Sequence, residues 1–253
     1  MKIAVIGARG AVGRTCVEEL YKSGHTPSEL SRTDTIDSDT EGVIVAAQVE
    51  QLNFSGAIVD CTGLLPNTQL ALPSVLKATD SPLRIPNCMA SLIAQAIAPL
   101  HEQCTIISIV ATCMQSASGA GWRGAQALET NNTNELFGGH LVGNVLPHER
   151  AVQEETMIAN DLKIIFGCTV IATSFRVPVI TGHVASLHIT TQTDIQKNTL
   201  QEHGTIDPRS MQGERFVSLG RVRIQKNTAD LVVCGDQLLC GTAIPAVQLI
   251  LGL

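Results

Sequence analysis

Lys2-Ile3-Ala4-Val5-Ile6 runs directly into Gly7-Ala8-Arg9-Gly10-Ala11-Val12-Gly13, and the reading of this stretch decides the fold. The apolar run reads as a buried β-strand, and the residues from Arg14 to about Ser23 read as a helix. Strand, glycine turn and helix in that order suit a dinucleotide. Gly7 permits the tight turn, Gly10 lets the backbone approach a pyrophosphate, Gly13 allows close packing of helix on strand, and the helix N-terminus faces the anion. The spacing is G-x-x-G-x-x-G rather than G-x-G-x-x-G, so a glycine-rich βα turn without a ligand stays open beside the dinucleotide reading.

The residue that meets the adenosine ribose belongs at the end of the second strand, where this chain reads Glu29-Leu30-Ser31-Arg32-Thr33. A hydroxyl and a guanidinium suit a 2′-phosphate, which favours NADP over NAD, although Asp34 and Asp37 lie close by and Arg32 reads equally as a solvated loop residue. A strand follows at Gly42–Ala46. Gly56–Gly63 reads as another, and its C-terminal end offers Thr62 and Gly63 to the ligand crevice. A short helix is expected between Pro66 and Thr79.

Composition bounds the function. With 44% hydrophobic and 16% charged residues, the 253-residue chain can bury a sizeable core as one large domain or two smaller ones. A net charge of -6 without a Lys/Arg cluster argues against a nucleic-acid partner, as does an aromatic content of 3%. No apolar run is long enough to cross a bilayer, and Met1-Lys2 leads straight into a strand rather than a signal segment, so a cytoplasmic protein without a membrane partner is expected. Eight cysteines show neither a C-x-x-C pair nor a zinc spacing, so reduced thiols and no metal are expected, seven of the thiols serving as packing residues.

The eighth is Cys88. In Ile85-Pro86-Asn87-Cys88-Met89-Ala90-Ser91 a Pro-Asn turn delivers it to the first turn of an apolar helix, where unpaired N–H groups and the macrodipole favour a thiolate. A nucleophile is one reading, and a small buried hydrophobe is the other. Downstream, Thr105–Ala111 reads as a strand and leads to Gln115-Ser116-Ala117-Ser118-Gly119-Ala120-Gly121, with a helix near Arg123–Glu129. Gly143-Asn144-Val145-Leu146-Pro147-His148 precedes Glu154-Glu155 and a helix to Ile165. Then come Arg176-Val177-Pro178-Val179, Gly182-His183 and a strand at Ser186–Gln192. Arg176 and His183, separated by a bend through Pro178 and Gly182, can share one end of a strand.

Together these pieces resemble the aspartate-β-semialdehyde dehydrogenase family, whose order they follow from the glycine turn to Gly220-Arg221-Val222-Arg223. The resemblance implies an NADP-dependent oxidoreductase of amino-acid biosynthesis that converts L-aspartate 4-semialdehyde, NADP and phosphate to aspartyl phosphate. Cys88 would form the thioester, His183 act as acid and base, and Gln115 orient the acyl carbonyl. Arg176 would pair with the substrate carboxylate and Glu154 with its amino group. Residues Gly7, Ala8, Arg9, Gly10, Ala11, Val12 and Gly13, with Ser31, Arg32, Thr33, Thr62, Gly63, Ser118 and Gly119, would hold the cofactor. The implied fold is α/β: a Rossmann-like dinucleotide-binding domain over 1–87, completed by a C-terminal helix within 236–253, plus an α+β catalytic and dimerisation domain over 88–235 that forms a homodimer.

The chain also departs from that pattern. It is short between Gly63 and Pro86, and no arginine for phosphate stands in Leu64–Ser81. Met157 occupies the place of a second phosphate cation, leaving Arg84 and Arg123 as substitutes, and Asp236-Gln237 replaces Asp-Asn. These departures point to an altered aldehyde or acyl acceptor, with a CoA thioester among the open acyl donors. The other function class is a non-catalytic NADP-binding paralogue acting as a sensor or partner subunit.

Overall fold

The structure, a computed structural model, describes residues 1–49, 52–78, 80–147 and 151–252. The strands are β1 (Ile3–Ile6), β2 (Ser28–Leu30), β3 (Gly42–Val45), β4 (Ala57–Asp60), β5 (Gln69–Leu70), β6 (Leu83–Arg84), β7 (Ile106–Gln115), β8 (Thr169–Arg176), β9 (His183–Thr191), β10 (Ser218–Gln225) and β11 (Thr228–Gly235). The helices are α1 (Ala11–Lys22), α2 (Cys88–Cys104), α3 (Trp122–Glu129), α4 (Asn134–Phe137), α5 (Ala151–Phe166) and α6 (Ile244–Leu251). Two compact units result, Met1–Pro86 with Thr242–Leu253, and Asn87–Gly241. Residues 236–241, expected with the C-terminal helix, fall in the second.

The first unit is a six-stranded parallel sheet in the order β2-β1-β3-β4-β6-β5. Ile3, Val5, Ile44 and Val59 pack on one face against Val17 and Leu20 of α1 and Ala246, Val247 and Ile250 of α6. Parallel strands need both faces covered. The second face, Ala4, Ile6, Val43, Val45 and Ile58, is covered by Leu30, Ile36, Val49, Leu52, Phe54 and Leu65, which lie in no helix.

The glycine turn is built as its spacing requires. Gly7 takes a φ of 81°, and a Cβ on Gly13 would lie 2.1 Å from the Gly7 carbonyl oxygen. Helix α1 therefore starts at Ala11, not Arg14, with Gly13 inside its first turn against the strand. Among the described residues between Pro66 and Thr79 no helix forms, where one was expected. Pro66 and Pro73 interrupt the segment, Asn67 and Ser74 take positive φ, and β5 pairs with β6 through Gln69↔Leu83. Thr79 and His148 lie outside the described residues.

The second unit is a five-stranded sheet in the order β10-β11-β9-β7-β8, in which only β7 and β8 run parallel. Helix α2 packs on β7, β9 and β11, and α5 packs on β8 and on α2. Strand β7 continues four residues past the expected Ala111, to Gln115. This extension matters. Parallel pairing sets Gln115 opposite Arg176 at the ends of β7 and β8, and antiparallel β9 begins with His183 at the same sheet edge. The 3₁₀ turn Ala117–Ala120 is laced to the return segment by Ala117 N–H to Val179 O and Ser118 N–H to Ile180 O. No helix among the described residues is long and apolar enough to cross a membrane.

Candidate active site

Asn87 caps α2: its side-chain oxygen accepts from the N–H groups of Met89 at 2.9 Å and Ala90 at 3.4 Å. Its own N–H donates to Oδ2 of buried Asp161 at 2.7 Å. Cys88 is thereby fixed as the first helical residue, and its Sγ lies 3.6 Å from His183 Nε2. Across the ring, His183 Nδ1 faces the N–H of Ser116 at 3.2 Å and its Oγ at 2.9 Å.

Arg176 completes the cluster. It is 2% exposed, and its guanidinium donates from Nη1 to Ser116 O at 2.7 Å and from Nη2 to Glu154 Oε1 at 3.2 Å. Its Nε is buried with no partner among the described residues. The Phe137 ring lies 5.3 Å beneath its Cζ. A Cβ on Gly119 would lie 2.8 Å from Arg176 Nη1 and 3.0 Å from His183 Cε1, so only glycine fits at this crossing. The next residue on α5, Glu155, accepts from Ser174 N–H at 2.7 Å and ties the helix to β8.

Five of the expected side chains, Cys88, Gln115, Glu154, Arg176 and His183, thus gather at one edge of the second sheet. The electrostatics differ from expectation. Burial, followed by the Glu154 charge, pushes the Cys88 thiol up to about 12 against a smaller opposing effect of Arg176. The Met89 and Cys88 N–H groups at the helix start do favour the thiolate, but burial and the Glu154 charge outweigh them. Burial and the Arg176 charge hold His183 well below its ordinary value. Burial likewise lowers Arg176. The resting pair is a neutral thiol beside a neutral imidazole.

Ser118 is engaged internally, its N–H on Ile180 O and its Oγ with Thr181 Oγ1 at 3.0 Å and Gln237 Nε2 at 2.7 Å. Gln237 also accepts from Gly182 N–H at 2.9 Å, which brackets the approach to His183. Ser116 and Asp161 were not singled out from sequence, and Gln237 stood out only as a departure from the family's Asp-Asn. Ser116 stood inside the Gln115–Gly121 stretch, and Asp161 lies two helical turns beyond Glu154, on the same face of α5.

In the first unit, a pyrophosphate fits the glycine turn. Gly10 caps α1 with no side chain closing the helix end, and a Cβ there would meet the Gly7 carbonyl at 3.2 Å. Ser31, Arg32 and Thr33 are exposed just after β2, with the Ser31 and Thr33 hydroxyls 3.3 Å apart. Ser31 N–H donates to Asp34 at 2.7 Å, which holds that carboxyl below its ordinary value. Thr62 is tied to Asp60 through its N–H and hydroxyl, beside Gly63 at a φ of 68°. Of the cations considered for phosphate, exposed Arg123 stacks over Trp122 at 5.7 Å, and half-buried Arg84 ends β6 in the first unit. Met157 is 37% exposed, one turn beyond Glu154.

Residues 97–240, more than half of the chain, match the family model described as semialdehyde dehydrogenase, dimerisation domain. The chain belongs to the semialdehyde dehydrogenase family. It is 24% identical to the aspartate-semialdehyde dehydrogenase of Synechocystis sp., over 98% of this chain and 96% of that protein. Its fold matches the aspartate semialdehyde dehydrogenase II of Vibrio cholerae complexed with ASA, with a TM-score of 0.78 at 20% identity over 98% of this chain and 96% of that one. It likewise matches the enzyme of Francisella tularensis, with a TM-score of 0.79 at 16% identity over 98% of each chain. The α/β fold and an oxidoreductase of the aspartate-semialdehyde dehydrogenase type are what this family membership carries.

Glu154 raises the Cys88 thiol and Arg176 lowers it, so the two charges can be separated by substitution. Glu154→Gln removes the first and leaves the second uncompensated. Iodoacetamide should then alkylate Cys88 several-fold faster at neutral pH than in the unsubstituted protein. Peptide mapping that finds the rate unchanged or slower would refute this electrostatic account.

Proposed function

We propose that this protein is an NADP-dependent aldehyde or acyl oxidoreductase working through a thioester on Cys88. The observation that carries this reading is the 3.6 Å approach of Cys88 Sγ to His183 Nε2 beside a buried guanidinium and its half-buried carboxylate partner. In the oxidative direction the Cys88 S–H bond breaks as the sulfur bonds to the aldehyde carbon, and the proton passes by way of His183 to the carbonyl oxygen, which becomes the hydroxyl of a thiohemiacetal. His183 is the acid/base group for the sulfur and for that oxygen. Gln115, at the same sheet edge, orients the acyl carbonyl. Bound NADP would supply the acceptor for the hydride that leaves the thiohemiacetal carbon, the pyrophosphate resting on Gly7–Gly13. The thioester is then released to an acyl acceptor.

The substrate is a small aldehyde bearing a carboxylate, and an amino group next to it fits best. Arg176 offers a buried Nε donor to the carboxylate, and Glu154 stands 3.2 Å from the same guanidinium to take an ammonium. Such a zwitterion matches a site that already holds one charge of each sign. The assembled pair favours a catalyst over a sensor, because a binding protein has no use for a thiol held against an imidazole. Eight free cysteines suit a reducing cytoplasm. If the reading holds, NADPH oxidation with an activated acyl substrate disappears in Cys88→Ser. Persistence of turnover in that variant would end the thioester proposal.

The acceptor is a separate question. Phosphate recognition rests on charge-assisted hydrogen bonds worth roughly 1.5–3 kcal/mol each, so losing two contacts costs about 3–6 kcal/mol, or on the order of 10²–10⁴ in affinity. Met157 supplies no charge, and Leu64–Ser81 contains no arginine. Millimolar inorganic phosphate should therefore leave aldehyde oxidation unaccelerated, and aspartyl phosphate should be a poor substrate. A rate that rises with sub-millimolar phosphate would show that another cation has taken the role.

Ser31, Arg32 and Thr33 support a 2′-phosphate site. NADP(H) should bind more tightly than NAD(H) by calorimetry, with Arg32→Ala weakening NADP(H) alone. Equal affinities would remove Arg32 from the cofactor site.

A homodimer is proposed through the sheet face of the second unit opposite α2 and α5, where Val110 and Ile171 are exposed. Ile171→Asp should shift sedimentation toward the monomer, and an unchanged dimer would move the interface elsewhere.

A further inference from the structure

Both hydrogen-bonding groups of Ser116 face a single ring nitrogen of His183. The backbone N–H at 3.2 Å is an obligate donor, so Nδ1 must present its lone pair. The hydroxyl at 2.9 Å adapts, since it can donate to a bare Nδ1 or accept from a protonated one. A neutral imidazole carries one proton, and with Nδ1 bare that proton sits on Nε2, the atom 3.6 Å from Cys88 Sγ. The ring is 1% exposed, and the Arg176 guanidinium disfavours a second proton, so the neutral form is the resting one. Ser116 is itself held, because its carbonyl accepts from Arg176 Nη1 at 2.7 Å and the residue is fully buried.

We propose that Ser116 is a positioning residue that sets the tautomer of His183, so that the resting ring meets Cys88 as a hydrogen-bond donor rather than as a base. This inference rests on the reading of Cys88 and His183 as the catalytic pair and deepens it. A ring with its proton on Nε2 cannot take the proton of the Cys88 thiol there. It donates to the sulfur, and afterwards to the oxygen of a thiohemiacetal. Base function belongs to the form protonated at Nδ1, in which the Ser116 hydroxyl oxygen accepts and Nε2 is bare. The same hydroxyl serves the doubly protonated ring, whose Nδ1–H would otherwise be buried against an N–H. One serine thus supplies two functions through two groups: the backbone N–H selects the resting tautomer, and the hydroxyl supports the ring whenever Nδ1 carries a proton.

The test uses the full-length protein without substrate or cofactor. A long-range proton–nitrogen spectrum of the nitrogen-15-labelled protein near neutral pH, with the His183 signals identified by their loss in His183→Gln, should show Nε2 protonated and Nδ1 bare. A protonated Nδ1 in that spectrum overturns the proposal whatever Ser116→Ala does. Ser116→Ala keeps the backbone N–H, so the resting tautomer should persist. Cys88 alkylation by iodoacetamide, followed from about pH 6 to about pH 10, should fall about tenfold on the neutral limb and converge at high pH, where the thiol ionises without help. A slowing of equal size at every pH is what a merely structural role would give, and it overturns the hydroxyl assignment, as does an unchanged profile. Neither readout depends on turnover, so a protein with the expected tautomer that oxidises no aldehyde would count against the proposed function alone.

Discussion

A guanidinium buried at the end of a strand is the constraint on which the rest of the site depends. Arg176 donates to Ser116 O and to Glu154, and each bond reaches further than its own energy. The first fixes the backbone whose N–H faces His183, and the second holds the carboxylate that raises Cys88. Its charge acts on both Cys88 and His183, adding to the burial that lowers His183 and opposing the rise of Cys88. The guanidinium is buried while Glu154 is half-buried, so it is the arginine that depends on the pair for compensation. Loss of Arg176 would therefore act on the Ser116 backbone and on the thiol together, whereas loss of Glu154 leaves the Ser116 bond in place.

Strand direction explains why distant motifs meet. Gln115 and Arg176 end two parallel strands, and His183 starts the antiparallel strand on the other side of β7, so three motifs share an edge by topology. Cys88 arrives from below at the head of α2, which packs on the same strands. The sequence announced these residues as separate short motifs with a shared order, and that was enough to name the members. It could not show their environment. Cys88 at a helix start argued for a lowered thiol, whereas burial decides in the opposite direction, and burial is a property of the packed sheet rather than of any stretch of eight residues. Ser116 escaped notice for a related reason: a serine in a glycine-rich turn looks like turn chemistry until the ring it faces is in place.

The first unit divides in the same way. The glycine turn was legible because its requirements are local, a positive φ at Gly7 and no Cβ at Gly13. The segment from Pro66 to Thr79 was misread because pairing of β5 with β6, which is non-local, won over a weak helical pattern already interrupted by Pro73. The second face of the parallel sheet is covered by Leu30 of β2 and by side chains from turns and connections. Leu52, Phe54 and Leu65 supply apolar cover that a helix commonly provides.

A neutral thiol beside a neutral imidazole is a consistent resting state for this arrangement. Separating charge between them would place a thiolate near Glu154 and an imidazolium near Arg176, and each placement is opposed by the like charge already present. The same two residues are the proposed partners of a zwitterionic aldehyde. Its ammonium would offset Glu154 and its carboxylate would offset Arg176, so the two effects on the sulfur largely cancel when substrate binds. What then separates the bound from the resting site is the carbonyl oxygen itself, an acceptor placed where Nε2–H can reach it. On this assignment the donor tautomer set by Ser116 is more than a resting curiosity: it is the form in which His183 can stabilise charge developing on oxygen, and a ring poised as a base would face that oxygen with a lone pair.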